Sequence, residues 1–248
     1  MVDVTIRGAG ILGLALAWVL VSRGAKVQVI DPNGVAHGAS GGIVGALAPH
    51  VPENWNSKKE FQRDSLLMAE TFWSDVDGAS GRSSGYARLG RVQPILEDRG
   101  IALAKLRGEN AQELWQGRAT WRVLTASDMD DWMTPSPTGH WIFDTLTGRL
   151  NPSAACQSLA AAIRTKGGTF DAVGQDRGHV VWATGVHDLD RISAQRPRMF
   201  GNGVKGQAAL FALDRRDFPQ LFADALHIIP HENGTVAVGS TSERDYDD

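Results

Sequence analysis

The stretch VDVTIRGAGILGLALAWVLVSRGAKVQVID, residues 2–31, decides the fold. Val2, Val4 and Ile6 alternate with other positions as a strand with one buried face requires, so residues 2–7 are read as a strand. Residues 11–23 read as a helix, and residues 25–30 as a second strand with Val27 and Val29 on one face. Gly8, Gly10 and Gly13 stand between the first strand and the helix as GxGxxG. In a dinucleotide site these glycines serve a tight turn, close approach of backbone to pyrophosphate, and close helix–strand packing. The start of the helix, at Ile11 and Leu12, offers free N–H groups and the positive end of the helix dipole to phosphates.

A lone GxGxxG is common in ordinary α/β turns, but here the pattern extends to GxGxxGxxxAxxLxxxG through Ala17, Leu20 and Gly24. Asp31 closes the second strand eighteen residues after Gly13, about where an acidic side chain accepts hydrogen bonds from a ribose diol. Pro32 and Asn33 follow, with no arginine for a 2′-phosphate, which disfavours NADP. The apolar run 11–21 resembles the core of a signal peptide, yet it lacks a basic leader, contains Gly13 and is too short to span a bilayer.

Downstream, residues 34–49 are rich in small residues, and Ala39, Ser40, Gly41, Gly42, Gly45 and Ala46 would let backbone run close to an extended ligand. Ser40 could donate to a phosphate. A nicotinamide dehydrogenase has no evident need for such a loop, which favours FAD over NAD. On this reading a bulky residue at Gly45 blocks FAD and spares NAD, and valine at Gly10 or Gly13 abolishes cofactor uptake.

Residues 58–76 read as an amphipathic helix with Phe61, Leu66, Ala69, Phe72, Trp73 and Val76 on one side. A Gly/Ser loop at 77–84, a strand at 89–96, a helix at 100–115 and an irregular Trp-rich region at 119–150 follow. Asn151 caps the next helix, Pro152 opens it and Gly167–Gly168 closes it. Residues 179–183 read as a short buried strand. Residues 203–242 read as strands and turns, with Asn233–Gly234 as a hairpin turn. This order of elements implies two interleaved domains.

Hydrophobic residues make up 42% of the 248, charged residues 21%, and the net charge is −3. Such a balance gives no reason to expect nucleic acid or an anionic membrane as partner. Cys156 is the single cysteine, so an internal disulfide and a Cys-based zinc site are excluded and a reducing cytoplasm is expected. The histidines are read as offering no metal pair. The eight tryptophans are read as core and interface packing.

Five ordered segments carry a resemblance to the D-amino-acid oxidase/glycine oxidase family. GASGGIVGALAPH (38–50) is similar to its flavin loop, RLNPSAACQSLAAAI (149–163) to its crossover helix, and HVVWATGV (179–186) to its strand ending in an A-[TS]-G turn. GVKGQ (203–207) and HIIPHENGTVAVGSTSE (227–243) resemble a later strand start and hairpin. The resemblance implies an α/β fold: a Rossmann-type, glutathione-reductase-like FAD-binding domain over 1–80 and 145–200, interleaved with a substrate domain over 81–144 and 201–248 built on a mixed or antiparallel sheet. It implies FAD held by Gly8, Gly10, Ile11, Leu12, Gly13, Asp31, Ala39, Ser40, Gly45, Ala46, Leu47, Ala183, Thr184 and Gly185.

It further implies oxidation of an amino acid or related amine by hydride transfer from Cα–H to flavin N5, giving an imine. His227 falls where the family often has a tyrosine on the substrate carboxylate. His50 is a second substrate-side candidate, and Lys205 an electrostatic neighbour of flavin or substrate. The family's later WxGLRP-like segment and final glycine turn have no counterpart before Asp248, so a fragment, a contribution from elsewhere, or a non-catalytic flavin-binding remnant is expected. An NAD-dependent dehydrogenase is the alternative of another enzyme class. The substrate, the electron acceptor and the oligomeric state are left open.

Overall fold

A computed structural model describes residues 1–128 and 130–244. The chain runs β1 (Val4–Arg7), α1 (Ile11–Ser22), β2 (Val27–Ile30), β3 (Ala46–Leu47), α2 (Ser57–Ser80), β4 (Arg91–Pro94), α3 (Arg99–Leu114), β5 (Trp121–Thr125) and β6 (His140–Asp144). It continues with β7 (Gly148–Arg149), α4 (Pro152–Thr165), β8 (Thr169–Asp171), β9 (His179–Trp182) and α5 (Val186–Ala194). β10 (Ala208–Ala212), β11 (Gln220–Ala223), β12 (Leu226–Pro230) and β13 (Thr235–Gly239) complete it.

Two sheets organise these elements. The first is parallel, in the order β8-β2-β1-β9, so the chain winds outward from β1 in both directions. The second is mixed, in the order β10-β13-β12-β11-β4-β6-β5, with β11 parallel to β4 and its other neighbours antiparallel. A two-stranded antiparallel ribbon, β3-β7, is the third. The fold is therefore the α/β class expected.

α1 owes its position to Leu14, Ala17, Trp18 and Val21, all in the core with Ala155, Leu159, Ala162 and Ile163 of α4. The apolar run at 11–21 is thus a packed helix, and among the described residues no helix is long and apolar enough to cross a membrane. A second cluster joins Leu66 and Leu67 of α2 to Trp115, Trp121 and Leu146, and the far face of the mixed sheet carries Val92, Leu124, Trp141 and Leu221.

Several expectations need correction. α2 starts at Ser57, capped by Asn56 at the Lys59 N–H, and runs on to Ser80 where a loop was expected, ending only at Gly81, whose φ of 65° breaks the helix. Phe61 lies on its exposed side. The region 119–150 holds β5, β6 and β7: its strands are short, and cross-strand pairing rather than local alternation makes them. β9, expected to be buried, is an edge strand with Val180 and Trp182 exposed, and α5 after it was not foreseen. Trp182 is likewise the tryptophan that departs from the core reading.

Trp115 is fully buried and stands edge-on to Trp121 with ring centroids 6.1 Å apart. Trp115→Ala is expected to cost about 3–5 kcal/mol, as large aromatic-to-alanine truncations in cores do. Chemical denaturation should show a lower midpoint with an unchanged slope.

Candidate functional site

The glycine turn sits at the carboxyl end of β1. Gly8 has φ 112°, which only glycine adopts freely, and a Cβ there would overlap the Ala183 carbonyl. A Cβ at Gly13 would overlap the Gly8 carbonyl, so that glycine serves helix–strand contact as expected. Gly10 differs: a Cβ there would meet only the Ser40 side chain, with Oγ at 3.2 Å. Gly10 is therefore the glycine whose bareness no neighbouring backbone uses. Valine at Gly13 is consequently a defect of the fold and no probe of the ligand.

The first helical N–H of α1, on Ile11, donates to Ser40 Oγ at 3.0 Å. Ser40 lies in a 3₁₀ turn over Ala39–Gly41, which holds the second glycine loop against the helix start. Leu12, one residue further, is exposed. Asp31 accepts the Ala9 N–H at 2.8 Å on one carboxylate oxygen and the Asn33 N–H at 2.9 Å on the other. Each oxygen retains a further lone pair, so the carboxylate ties the turn together and still has acceptor capacity. A cavity of about 310 Å³ opens beside it, lined by Ala9, Val29, Asp31, Arg164, Phe170 and Asp171 among others. The Arg164 guanidinium lies 4.2 Å from the centroid of the Phe170 ring in that wall.

The loop's glycines serve the protein more than was expected. A Cβ at Gly45 would overlap the Leu150 carbonyl, and one at Gly41 the Ala36 carbonyl. A bulky residue at Gly45 would thus break the joint with α4's approach, and cannot separate FAD from NAD binding. Ala46 and Leu47 form β3 and pair with Arg149 and Gly148 of β7. Arg149 is buried; its guanidinium donates to the carbonyls of Pro230 and Arg216, joining the ribbon to the end of β12.

The A-T-G turn is at the end of β9. Ala183 N–H donates to the Arg7 carbonyl at 2.7 Å, and Thr184 Oγ1 donates to Asp188, which α5 brings round after Gly185 caps its start. Arg191 first, and Thr184 second, hold the Asp188 carboxyl below its usual range.

On the mixed sheet, pairing places Gln220, Phe222 and His227 on one face, with Leu221 and Ile228 turned to the opposite cluster. His227 Nδ1 lies 3.2 Å from Gln220 Oε1, and its ring tilts over Phe222 with centroids 4.7 Å apart. Beside them Arg91 pairs with the fully buried Asp144 at 3.2 Å. Sequence reasoning passed over Gln220, Arg91 and Asp144; no motif marks them, because strand pairing alone assembles them. His50 lies elsewhere: its N–H donates to Gln62 of α2 at 2.7 Å and its ring meets the same amide oxygen, which makes it a brace between loop and helix. Lys205 bridges through its backbone to Glu243.

His227 and His231 do stand four residues apart, against the expectation of no such histidine pair. They lie along an extended segment, where four residues span about 13 Å, too far for one metal ion. Among the described residues no cluster of three or more His, Cys, Asp or Glu side chains could hold a metal.

A strand–glycine turn–helix unit with an acidic second strand end, faced by a second glycine loop, defines a dinucleotide-binding α/β protein. Residues 3–248 match the profile of the DAO family, FAD dependent oxidoreductase, and the chain belongs to that family. The bifunctional protein ThiO/ThiG of Trichormus variabilis is 24% identical over 274 residues, covering 97% of this chain and 40% of that protein. The chain thus spans well under half the length of that curated relative. Among solved structures, glycine oxidase from Bacillus cereus superposes with a TM-score of 0.78 at 19% identity, over 98% of this chain and 72% of that one. Iminodiacetate oxidase from Chelativorans superposes with a TM-score of 0.75 at 19% identity, over the same shares of the two chains.

Gly10→Val, which asks only the Ser40 side chain to shift, should lower the melting temperature much less than Gly13→Val and weaken FAD binding by at least about 100-fold if backbone lies against the diphosphate there. Gly13→Val should instead lower the melting temperature strongly, as differential scanning fluorimetry would show. Burial first, and then the charge of Arg91 or Arg149 respectively, holds His227 and His231 below the ordinary histidine pKa. The unfolded chain therefore binds these protons first as pH falls. The stability they contribute is fully present above pH about 6.5 and is lost as pH falls from there toward the folded-state values. Melting temperatures between pH 8 and 5 should show this decline, and His231→Gln should flatten it.

Proposed function

We propose that this chain binds FAD and forms the core of an oxidoreductase acting on an amino acid or related amine. The observation that carries this reading is the joint geometry of the turn and Asp31: a glycine corner whose Gly10 meets no backbone, a helix start held by a single hydroxyl, and a carboxylate with spare acceptor capacity beside a cavity. The residues fit a flavin dinucleotide. Gly8, Gly10, Ile11, Leu12 and Gly13 would hold the diphosphate with Ser40, and Asp31 the adjoining ribose. Ala39, Gly45, Ala46 and Leu47, with Ala183, Thr184 and Gly185, would bound the cofactor from the loop and from the end of β9.

Family membership favours FAD over NAD. A bound flavin would supply a two-electron acceptor for a hydride from the substrate Cα. The chain's own part is to orient the substrate between the β3-β7 ribbon and the mixed sheet. Gln220 supports this placement, because its Nε2 donates to the Gly148 carbonyl of the ribbon at 2.9 Å while its other end meets His227. We further propose a discontinuous division, with the FAD-binding domain over 1–80 and 145–200 and the substrate domain over 81–144 and 201–248. All strands of the parallel sheet fall in the first pair of ranges and all strands of the mixed sheet in the second, which supports it. A cytoplasmic setting is proposed from the single cysteine, whose thiol burial pushes up to about 11.

The purified protein is expected to carry a visible flavin spectrum, or to acquire one when FAD is added. Anaerobic addition of the right amino acid or amine should bleach it. A colourless protein that takes up no FAD defeats the proposal.

A further inference from the structure

The orientation of one amide sets the chemistry of the substrate face. Gln220 is buried, and its Nε2 donates to the Gly148 carbonyl, so the atom turned to His227 Nδ1 is the amide oxygen. An amide oxygen only accepts, so Nδ1 carries the ring proton. In a neutral imidazole the other nitrogen, Nε2, then bears a lone pair. His227 makes no hydrogen bond through Nε2 to any described residue. The charged groups around it are Arg91 of β4 and, paired with Arg91, Asp144 of β6; β11 sets Gln220 and Phe222 beside it, and β13 sets Gly239 opposite. Burial and the nearby Arg91 both keep the ring neutral.

This face presents an aromatic ring, an ion pair already satisfied within itself, and one bare acceptor nitrogen. It suits an N–H donor. A carboxylate would need a donor at Nε2, so the carboxylate role that the family resemblance implied for His227 does not fit this tautomer.

We propose that His227 Nε2 accepts a proton from the ammonium group of the substrate, with Gln220 as the positioning residue that fixes its tautomer. The inference rests on the amine-oxidising reading above. In the step, an N–H bond of the substrate ammonium breaks and leaves its electron pair on nitrogen, while an Nε2–H bond forms and gives imidazolium. No electrons are transferred. The freed pair on nitrogen would be the one available to form the second C–N bond once a bound flavin took up the Cα hydrogen as hydride. Burial and the neighbouring Arg91 make the imidazolium short-lived, and it returns its proton to water before the next turnover.

Long-range ¹H–¹⁵N NMR of ¹⁵N-histidine-labelled protein reads the tautomer directly and needs neither flavin nor substrate. The His227 signals, assigned by their loss in His227→Gln, are expected to show protonated Nδ1 and bare Nε2 at neutral pH. An Nε2–H tautomer or an imidazolium overturns the proposal. In the FAD-loaded protein, His227→Gln should lower kcat/KM for the amine by about 100-fold or more and remove the acid limb of its pH profile. Gln220→Glu should move that limb to higher pH, since a carboxylate stabilises the imidazolium. An acid limb unchanged in both variants defeats the proton-acceptor role alone, whereas failure to take up FAD defeats the flavoenzyme reading.

Discussion

The whole arrangement depends on peptide backbone being packed against peptide backbone at the end of β1. Gly8 lies against the Ala183 carbonyl and Gly13 against the Gly8 carbonyl, with no side chain interposed. That approach draws β9, β1 and α1 into one corner, and Asp31 locks β2 to it by accepting the Ala9 and Asn33 N–H groups. Once three backbone segments converge there, the start of α1 must point its N–H groups out of the corner. The ability to face an anion follows from packing that the fold needs in any case.

The same economy extends to the second glycine loop. Gly41 and Gly45 are bare because Ala36 and Leu150 carbonyls occupy the space, and Gly10 alone among the glycines discussed faces mainly a hydroxyl. The loop then continues into the β3-β7 ribbon, which Arg149 and Gln220 fasten to the mixed sheet through carbonyls of Pro230, Arg216 and Gly148. Buried polar side chains that end on backbone carbonyls hold strands at a set distance without a facing charge. In this way Gln220 links His227 of the mixed sheet to Gly148, the ribbon residue paired with Leu47.

Local pattern accounted for much of this. The β-α-β start, the helix after Asn151, the helix at 99–114 and the strands of the tail are legible because spacing, caps and breakers each act within a few residues. The strands in 119–150 were not, since β5 and β6 are built by pairing with each other and with β4. His50 illustrates the converse: nothing in its place along the chain announces that its backbone N–H and its ring both meet Gln62 of α2. Pattern also overstated the glycines, because a sequence does not say whether bareness serves a ligand or a neighbouring carbonyl.

The sequence by itself determined that a GxGxxG turn joins the first strand to the first helix, that Asp31 closes the second strand, and that five ordered segments follow the DAO pattern. These are properties of residue type and spacing along one backbone. Only the tertiary structure decided which glycines face outward, that Arg91, Asp144, Gln220 and His227 share one sheet face, and which nitrogen of His227 is bare. Those residues are far apart along the chain, and the register of β4, β6, β11 and β12 brings them together; hydrogen-bond direction, set by a carbonyl in a different sheet, then fixes the proton.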